Sequence, residues 1–261
     1  MPESNKTETD FMRFTRLASE WDIREEKYRA SYYEGDFQPG AILRIDGESP
    51  LILTAPHSLN HYRFNKAKPA DRWTGSGCEL LGARLNAAVL TCVGPIGTLQ
   101  SWEARTDPFK CSLDDLVKPG SLVIDVHGMS DTHGIDVCIG TGTNPSKSAS
   151  HAADWLIAEL RNYSVSINEP FSASPDYTVV SYVQRSLGSD ALQIEIAASL
   201  RNPLDHQLKA GKFAADLLSA LHLLAGGLAG SHSTEIRPED GIGINIERGE
   251  YFSREKSSPD S

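Results

Sequence analysis

The sequence predicts an α/β fold, a three-layer sandwich around a central mixed, mostly parallel sheet. Three observations predict it. Short, nearly continuous apolar strings such as SLVIDVHG (121–128) and ALQIEIA (191–197) read as strands buried on both faces. Longer segments between them repeat apolar residues at spacings of three and four, the period of a helix. Strands that alternate with helices in this way form a sheet with helices packed on both faces.

Taken in order, residues 1 to about 10 (MPESNKTETD) are polar and aperiodic and are expected to be a flexible tail. AILRID (41–46) and PLILTAP (50–56), separated by GES, are expected to form a hairpin. TGSGCELLGARLNAAV (74–89) has helical spacing. SLVIDVHG and IDVCIG (135–140) are compact apolar strands. SASHAADWLIAELRN (148–162) is a helix whose serine-rich start can cap it. SVSIN (164–168) and ALQIEIA are further strands, and residues 204–226 form a long helix closed by glycines. Residues 253–261 (SREKSSPDS) are expected to be a second flexible tail. No internal repeat divides residues 1–261, which are expected to form a single catalytic domain.

Composition excludes several classes of function. A net charge of −10 and a pI near 5.3 are the opposite of a nucleic-acid-binding face. The first residues lack the basic-then-apolar pattern of a leader. LLSALHLLAGGLAG (217–230) is broken by His222 and glycines and is shorter than the roughly 20 residues of a membrane span. A cytoplasmic location is therefore expected, with no membrane and no nucleic-acid partner; the sequence leaves the oligomeric state open. Four cysteines without a CxxC pair are expected to be reduced thiols, neither a disulfide framework nor a cysteine zinc site.

The chemistry lies at strand ends, where open α/β sheets place their sites. PLILTAPH ends on His57, VIDVHG on His127, and ALQIEIA carries Glu195. Alternation along a strand puts Gln193, Glu195 and Ala197 on one face, and Val123, Asp125 and His127 on one face. A carboxylate within an apolar strand is costly unless it is paired or faces a cleft. Asp125 is thus as readily a partner that orients the site as an isolated polar residue of the core. Two histidines and a carboxylate around an open position form a known catalytic zinc arrangement, and a further glutamate can serve as the general base.

The strings LILTAPHS, KPADRWTG, VIDVHG, IDVCIGTG and ALQIEIAASLRNP, in this order, resemble the N-formylglutamate amidohydrolase-like family. The resemblance spans roughly residues 40–225. It implies a phosphorylase/hydrolase-like fold similar to that of zinc carboxypeptidases and aspartoacylases, with one zinc ion per chain. It also implies that His57 and His127 are metal ligands and that Glu195 is the general base. For the acidic ligand it points to Asp71, with Glu79, eight residues on, as the alternative. Asp71 lies fourteen residues after His57 (71 − 57), wider than the His-x-x-Glu spacing of carboxypeptidases, so both acids stay open.

An amide beside a carboxylate calls for a cation, and arginine holds a carboxylate bidentately. Of Arg63, Arg72, Arg105, Arg185 and Arg201, the resemblance favours Arg105, in a segment leading toward the site, and Arg201, shortly after Glu195. His133, in the loop MSDTHG, is a further substrate-binding candidate, and His61 and Ser58 are close enough in sequence to line the pocket. TGTNPSKS (141–148) mimics a phosphate loop, but it has Thr141 and Ser146 where glycines are needed. The expected function is a zinc-dependent amidohydrolase acting on an N-acyl (N-formyl-like) amino acid or a γ-glutamyl-type amide. The alternatives are an inactive relative serving as a metal- or ligand-binding module, which has no need of Glu195, and a metal-free hydrolase using Ser58, which lacks the G-x-S-x-G elbow.

Overall fold

Seven strands hydrogen-bond into one mixed sheet in the order β1-β5-β2-β6-β9-β7-β8. They are β1 (Ile42–Ile45), β2 (Leu51–Ala55), β5 (Ala88–Cys92), β6 (Leu122–Met129), β7 (Val137–Gly140), β8 (Val165–Ile167) and β9 (Asp190–Ala197). A small antiparallel pair, β3 (His61–Arg63) and β4 (Lys66–Lys68), stands apart from it. This computed structural model describes residues 3–63, 66–95 and 108–232 of the chain. The central strands β5, β2, β6 and β9 are mutually parallel, while β1 and β7 run antiparallel to their neighbours β5 and β9.

Alternation along the strands separates two cores. Leu51, Leu53, Leu122, Ile124, Val126, Leu192, Ile194 and Ile196 pack against one set of helices. That set is α2 (Thr74–Leu85), α4 (Lys147–Glu159), the short α6 (Ala198–Arg201) and α7 (Gln207–His232). Ile52, Leu90, Val123 and Ala191 face the other side, where α3 (Pro108–Leu116) and α5 (Val179–Tyr182) lie. Both faces are covered, giving the three-layer α/β sandwich that the sequence predicts.

Several boundaries differ from the sequence expectation. β1 and β2 do not form a hairpin with each other. β5 lies between them, antiparallel to β1 and parallel to β2, because the β2–α2–β5 crossover returns the chain beside β2. The helix expected to reach residue 89 stops at Leu85, where Asn86 turns left-handed (φ 49) and its N–H caps the Gly82 carbonyl. Residues 88–92 then become β5. A Cβ at Gly82 would lie 2.2 Å from Val89 Cγ2, so glycine lets α2 lie close on that strand.

The polar N-terminal stretch enters a helix at Glu3: α1 (Glu3–Ala30) runs for 28 residues and buries Leu17, Ala18, Trp21 and Tyr28. Helix α7 is longer than the expected 204–226, and its stretch Gln207–Ala229 has the length and apolarity of a membrane span. Its Ala210, Phe213, Ala214, Leu217, Ala220 and Leu221 are nonetheless buried within the fold. The tail expected at 253–261 lies outside the described residues.

Candidate metal centre

His57 stands in the turn that leaves β2, and His127 lies near the end of β6, the neighbouring parallel strand. Asp71 stands in the segment between β4 and α2. Its N–H donates to the His57 carbonyl at 2.8 Å, and its own carbonyl accepts from Thr74 Oγ1 at 2.6 Å. Nδ1 of His57 is 3.5 Å from Asp71 Oδ2, and Nδ1 of His127 is 3.3 Å from the same oxygen. One ligand atom from each of the three residues lies within 4.8 Å of the others. The acid that meets the histidines is therefore Asp71. Glu79 is spent elsewhere, accepting from Lys27 Nζ at 2.5 Å and Tyr28 OH at 2.7 Å.

The surroundings orient this cluster. His127 Nε2 lies 2.8 Å from Asp125 Oδ2, and Asp125 Oδ1 accepts from Thr54 Oγ1 at 2.7 Å. With Nε2 engaged, the imidazole presents Nδ1 to Asp71, as an outer carboxylate fixes a metal-binding histidine. His61 stacks on His57 with ring centroids 4.4 Å apart, and His127 meets His57 edge-on at 4.7 Å. Ser58 donates to the Cys92 carbonyl at 2.7 Å and is buried, an arrangement unlike that of a nucleophile activated by His57.

Electrostatics follow from burial and close charge. Burial lowers the His57 pKa, against the pull of Asp71, to about 4. Burial opposes the charge on Asp71, but the His127 and His57 imidazoles outweigh it and hold the carboxyl well below the usual range. Burial also opposes a charged His127, yet Asp125, Asp71 and Glu195 outweigh it and push its pKa well up. Glu195 is paired in register with His127 across β6 and β9 and accepts from Gln193 Nε2 at 3.0 Å. Burial, with Asp71 and Asp125 adding to it and His127 and Arg201 opposing, raises its pKa to about 7. A carboxyl poised there can exchange a proton near neutral pH.

The donor set fits zinc: two imidazole Nδ1 atoms and one carboxylate oxygen converge, and one histidine is already fixed by an outer carboxylate. The arginines are disposed differently from a simple clamp. Arg201 donates to three backbone carbonyls, those of Ile196 (3.0 Å), Arg72 (2.6 Å) and Met129 (3.3 Å). A Cβ at Gly128 would lie 2.5 Å from its guanidinium, so the glycine in VIDVHG makes room for Arg201 while the strand continues through it. Arg72 lies over the Tyr33 ring at 4.9 Å. His133 is exposed in a short 3₁₀ turn, its ring edge-on to Phe171. Arg105 lies outside the described residues. In the expected phosphate mimic, Ser146 accepts from the Ala149 N–H as the cap of α4 and donates to Asp190.

Sequence reasoning missed Thr54 as the support of Asp125. The signal was a hydroxyl inside the apolar string LILTA, directly opposite Asp125 in register. It also missed α1 and its Glu25, which bonds to the Trp73 N–H beside the Asp71 segment.

Comparison with known proteins agrees with this architecture. The structure is similar to that of N-formylglutamate amidohydrolase from Ralstonia eutropha, with a TM-score of 0.56 at 14% identity over 74% of this chain and 99% of that one. Bacteriophage poly-gamma-glutamate hydrolase gives a TM-score of 0.48 at 11% identity, over 73% and 90%. A metallo-carboxypeptidase from Pseudomonas aeruginosa gives 0.44 at 14%, over 72% and 61%. At 14% identity, the likeness to the Ralstonia eutropha protein shows the fold alone. No curated protein sequence matches the chain. Residues 108–201, which include His127, Glu195 and Arg201, match the family model described as N-formylglutamate amidohydrolase, so the resemblance carried by VIDVHG and ALQIEIAASLRNP is to that family.

Proposed function

We propose that this protein is a zinc-dependent amidohydrolase that cleaves the amide of a carboxylate-bearing N-acyl amino acid, N-formyl-like, or of a γ-glutamyl-type substrate. The observation that carries the proposal is the convergence of His57, Asp71 and His127, with Glu195 beside His127. One zinc ion at these three side chains would, when bound, polarise the amide carbonyl and make water acidic near neutral pH.

The chain's own residues supply the rest. Asp125 holds His127 in the orientation that turns Nδ1 toward Asp71. Glu195 takes a proton from the attacking water and returns it to the departing amine. Its raised pKa suits both transfers, and Gln193 fixes one of its oxygens. Arg201, tied to backbone carbonyls of β6, β9 and the Asp71 segment, contributes positive charge from a fixed place. Its charge favours the negative oxygen that develops during attack. Arg105 remains the candidate to hold the substrate carboxylate, and His133 a candidate at the rim. A cytoplasmic location and a single catalytic domain belong to the same proposal.

Substitution Glu195→Gln tests the role of the base. Bound zinc is expected to stay at the wild-type level, while amide turnover falls by about 10²–10⁴-fold. Turnover at the wild-type rate would refute the assignment. Zinc binding in the wild type without turnover of formyl, acetyl or glutamyl amides would favour the binding module.

A further inference from the structure

Asp71 differs from the two histidines in its support. His127 belongs to a central strand and His57 follows another, but Asp71 stands in an irregular segment two residues before Trp73. Trp73 has a left-handed backbone (φ 72) at the start of α2, with no side-chain cap of its own. A bulky side chain rarely adopts that conformation unless its surroundings impose it.

Helix α1 supplies those surroundings. Glu25 Oε1 accepts from the Trp73 N–H at 2.9 Å, and Glu25 Oε2 accepts from Ser76 Oγ at 2.5 Å. One turn earlier, Trp21 Nε1 donates to the Trp73 carbonyl at 3.0 Å. Tyr33 OH donates to Glu25 Oε1 at 2.9 Å, and Arg29 lies over the Trp73 ring at 5.5 Å. The Trp73 N–H is thus held by α1, and its carbonyl is shared between Trp21 of α1 and the first turn of α2, where Gly77 N–H donates at 3.0 Å and Ser76 Oγ at 3.3 Å. The preceding carbonyl, that of Arg72, is held by Arg201, and the Asp71 N–H by the His57 carbonyl. Glu25 is 1% exposed and Trp21 4% exposed, so this grip is a buried one. A carboxylate buried this deeply is costly and needs its hydrogen bonds.

We propose that α1 is a positioning element for the acidic ligand: Glu25 and Trp21 grip the Trp73 backbone and thereby set where the Asp71 carboxylate stands. This rests on the metal-dependent reading above. It assigns a role in the site to a helix outside residues 108–201, the segment that the family model matches.

The test is zinc affinity of the full chain, read by chelator competition, beside the thermal midpoint of each variant. Glu25→Ala and Trp21→Phe are expected to weaken zinc binding about tenfold or more, the range found when outer supports of a metal site are removed. Glu25→Gln keeps an acceptor for the Trp73 N–H and is expected to stay within about threefold of wild type. Leu156→Ala, a cavity in the core under α4, is expected to lower the midpoint without changing the affinity. The proposal is overturned if Glu25→Ala and Trp21→Phe bind zinc as the wild type does. It is also overturned if Leu156→Ala loses as much affinity as they do at an equal fall in midpoint. Should Glu25→Ala not fold, Trp21→Phe, which keeps an aromatic ring, decides alone. A wild type that binds no zinc overturns the metal-dependent reading and this inference together; zinc binding unchanged in the variants overturns this inference only.

Discussion

The two oxygens of Asp125 face different partners, Thr54 on one side and His127 on the other. Replacing Asp125 with alanine releases His127 to rotate, and zinc affinity is expected to fall about 10–100-fold in a chelator competition. An unchanged affinity would mean that His127 needs no orientation. A second carboxylate sets a pH dependence of folding. Burial raises the Glu25 pKa above its ordinary 4.5, beyond what the bonds from Ser76, Trp73 and Tyr33 and the charge of Arg29 recover. The folded chain then holds that proton more tightly than the unfolded chain. The contribution is therefore complete below about 4.5 and is lost as the pH rises through the raised value. Urea midpoints measured against pH should show this fall in the wild type and a flatter profile in Glu25→Gln; parallel profiles would contradict it. His57, His127, Asp125 and Glu195 were legible in the sequence because polar groups inside or at the end of apolar strands stand out. Asp71 against Glu79 was not, since only tertiary contacts show that Lys27 and Tyr28 occupy Glu79.

At the scale of elements, α1 and α7 approach closely where a Cβ on Gly211 would lie 2.1 Å from the Phe14 carbonyl oxygen. That atom is backbone, so the helix as a whole must move to admit a methyl group. Gly211→Ala is expected to cost about 1–3 kcal/mol in chemical denaturation, the range of overpacking. A variant as stable as the wild type would show that the two helices separate freely. Helix α1 itself escaped the sequence reading. Leu17, Ala18, Trp21 and Tyr28 carry helical spacing, but charged residues surround that stripe, and Glu25 interrupts it. The GES linker misled in the other direction. A three-residue gap between apolar strings suits a hairpin locally, whereas β5 arrives from beyond α2 to pair with both strands. Strand neighbours set by a crossover leave no local mark on the sequence.

For the molecule as a whole, the parallel run β2-β6-β9 brings residues from three distant stretches of sequence to one end of the sheet. The sandwich class was legible because apolar strands alternate with helical periods across the chain. The strand order and the covering helix α1 come from packing that no single segment encodes. The central claim, that this end of the sheet binds one zinc ion and uses it for amide hydrolysis, is tested most directly by titrating metal-stripped protein with zinc. Hydrolysis of N-formylglutamate and related acyl and γ-glutamyl amides is followed at each addition. Turnover is expected to rise from a negligible level and to saturate at about one zinc per chain, as a single three-ligand site requires. Full turnover in the stripped protein, or none at any zinc level on these amides, would contradict the account.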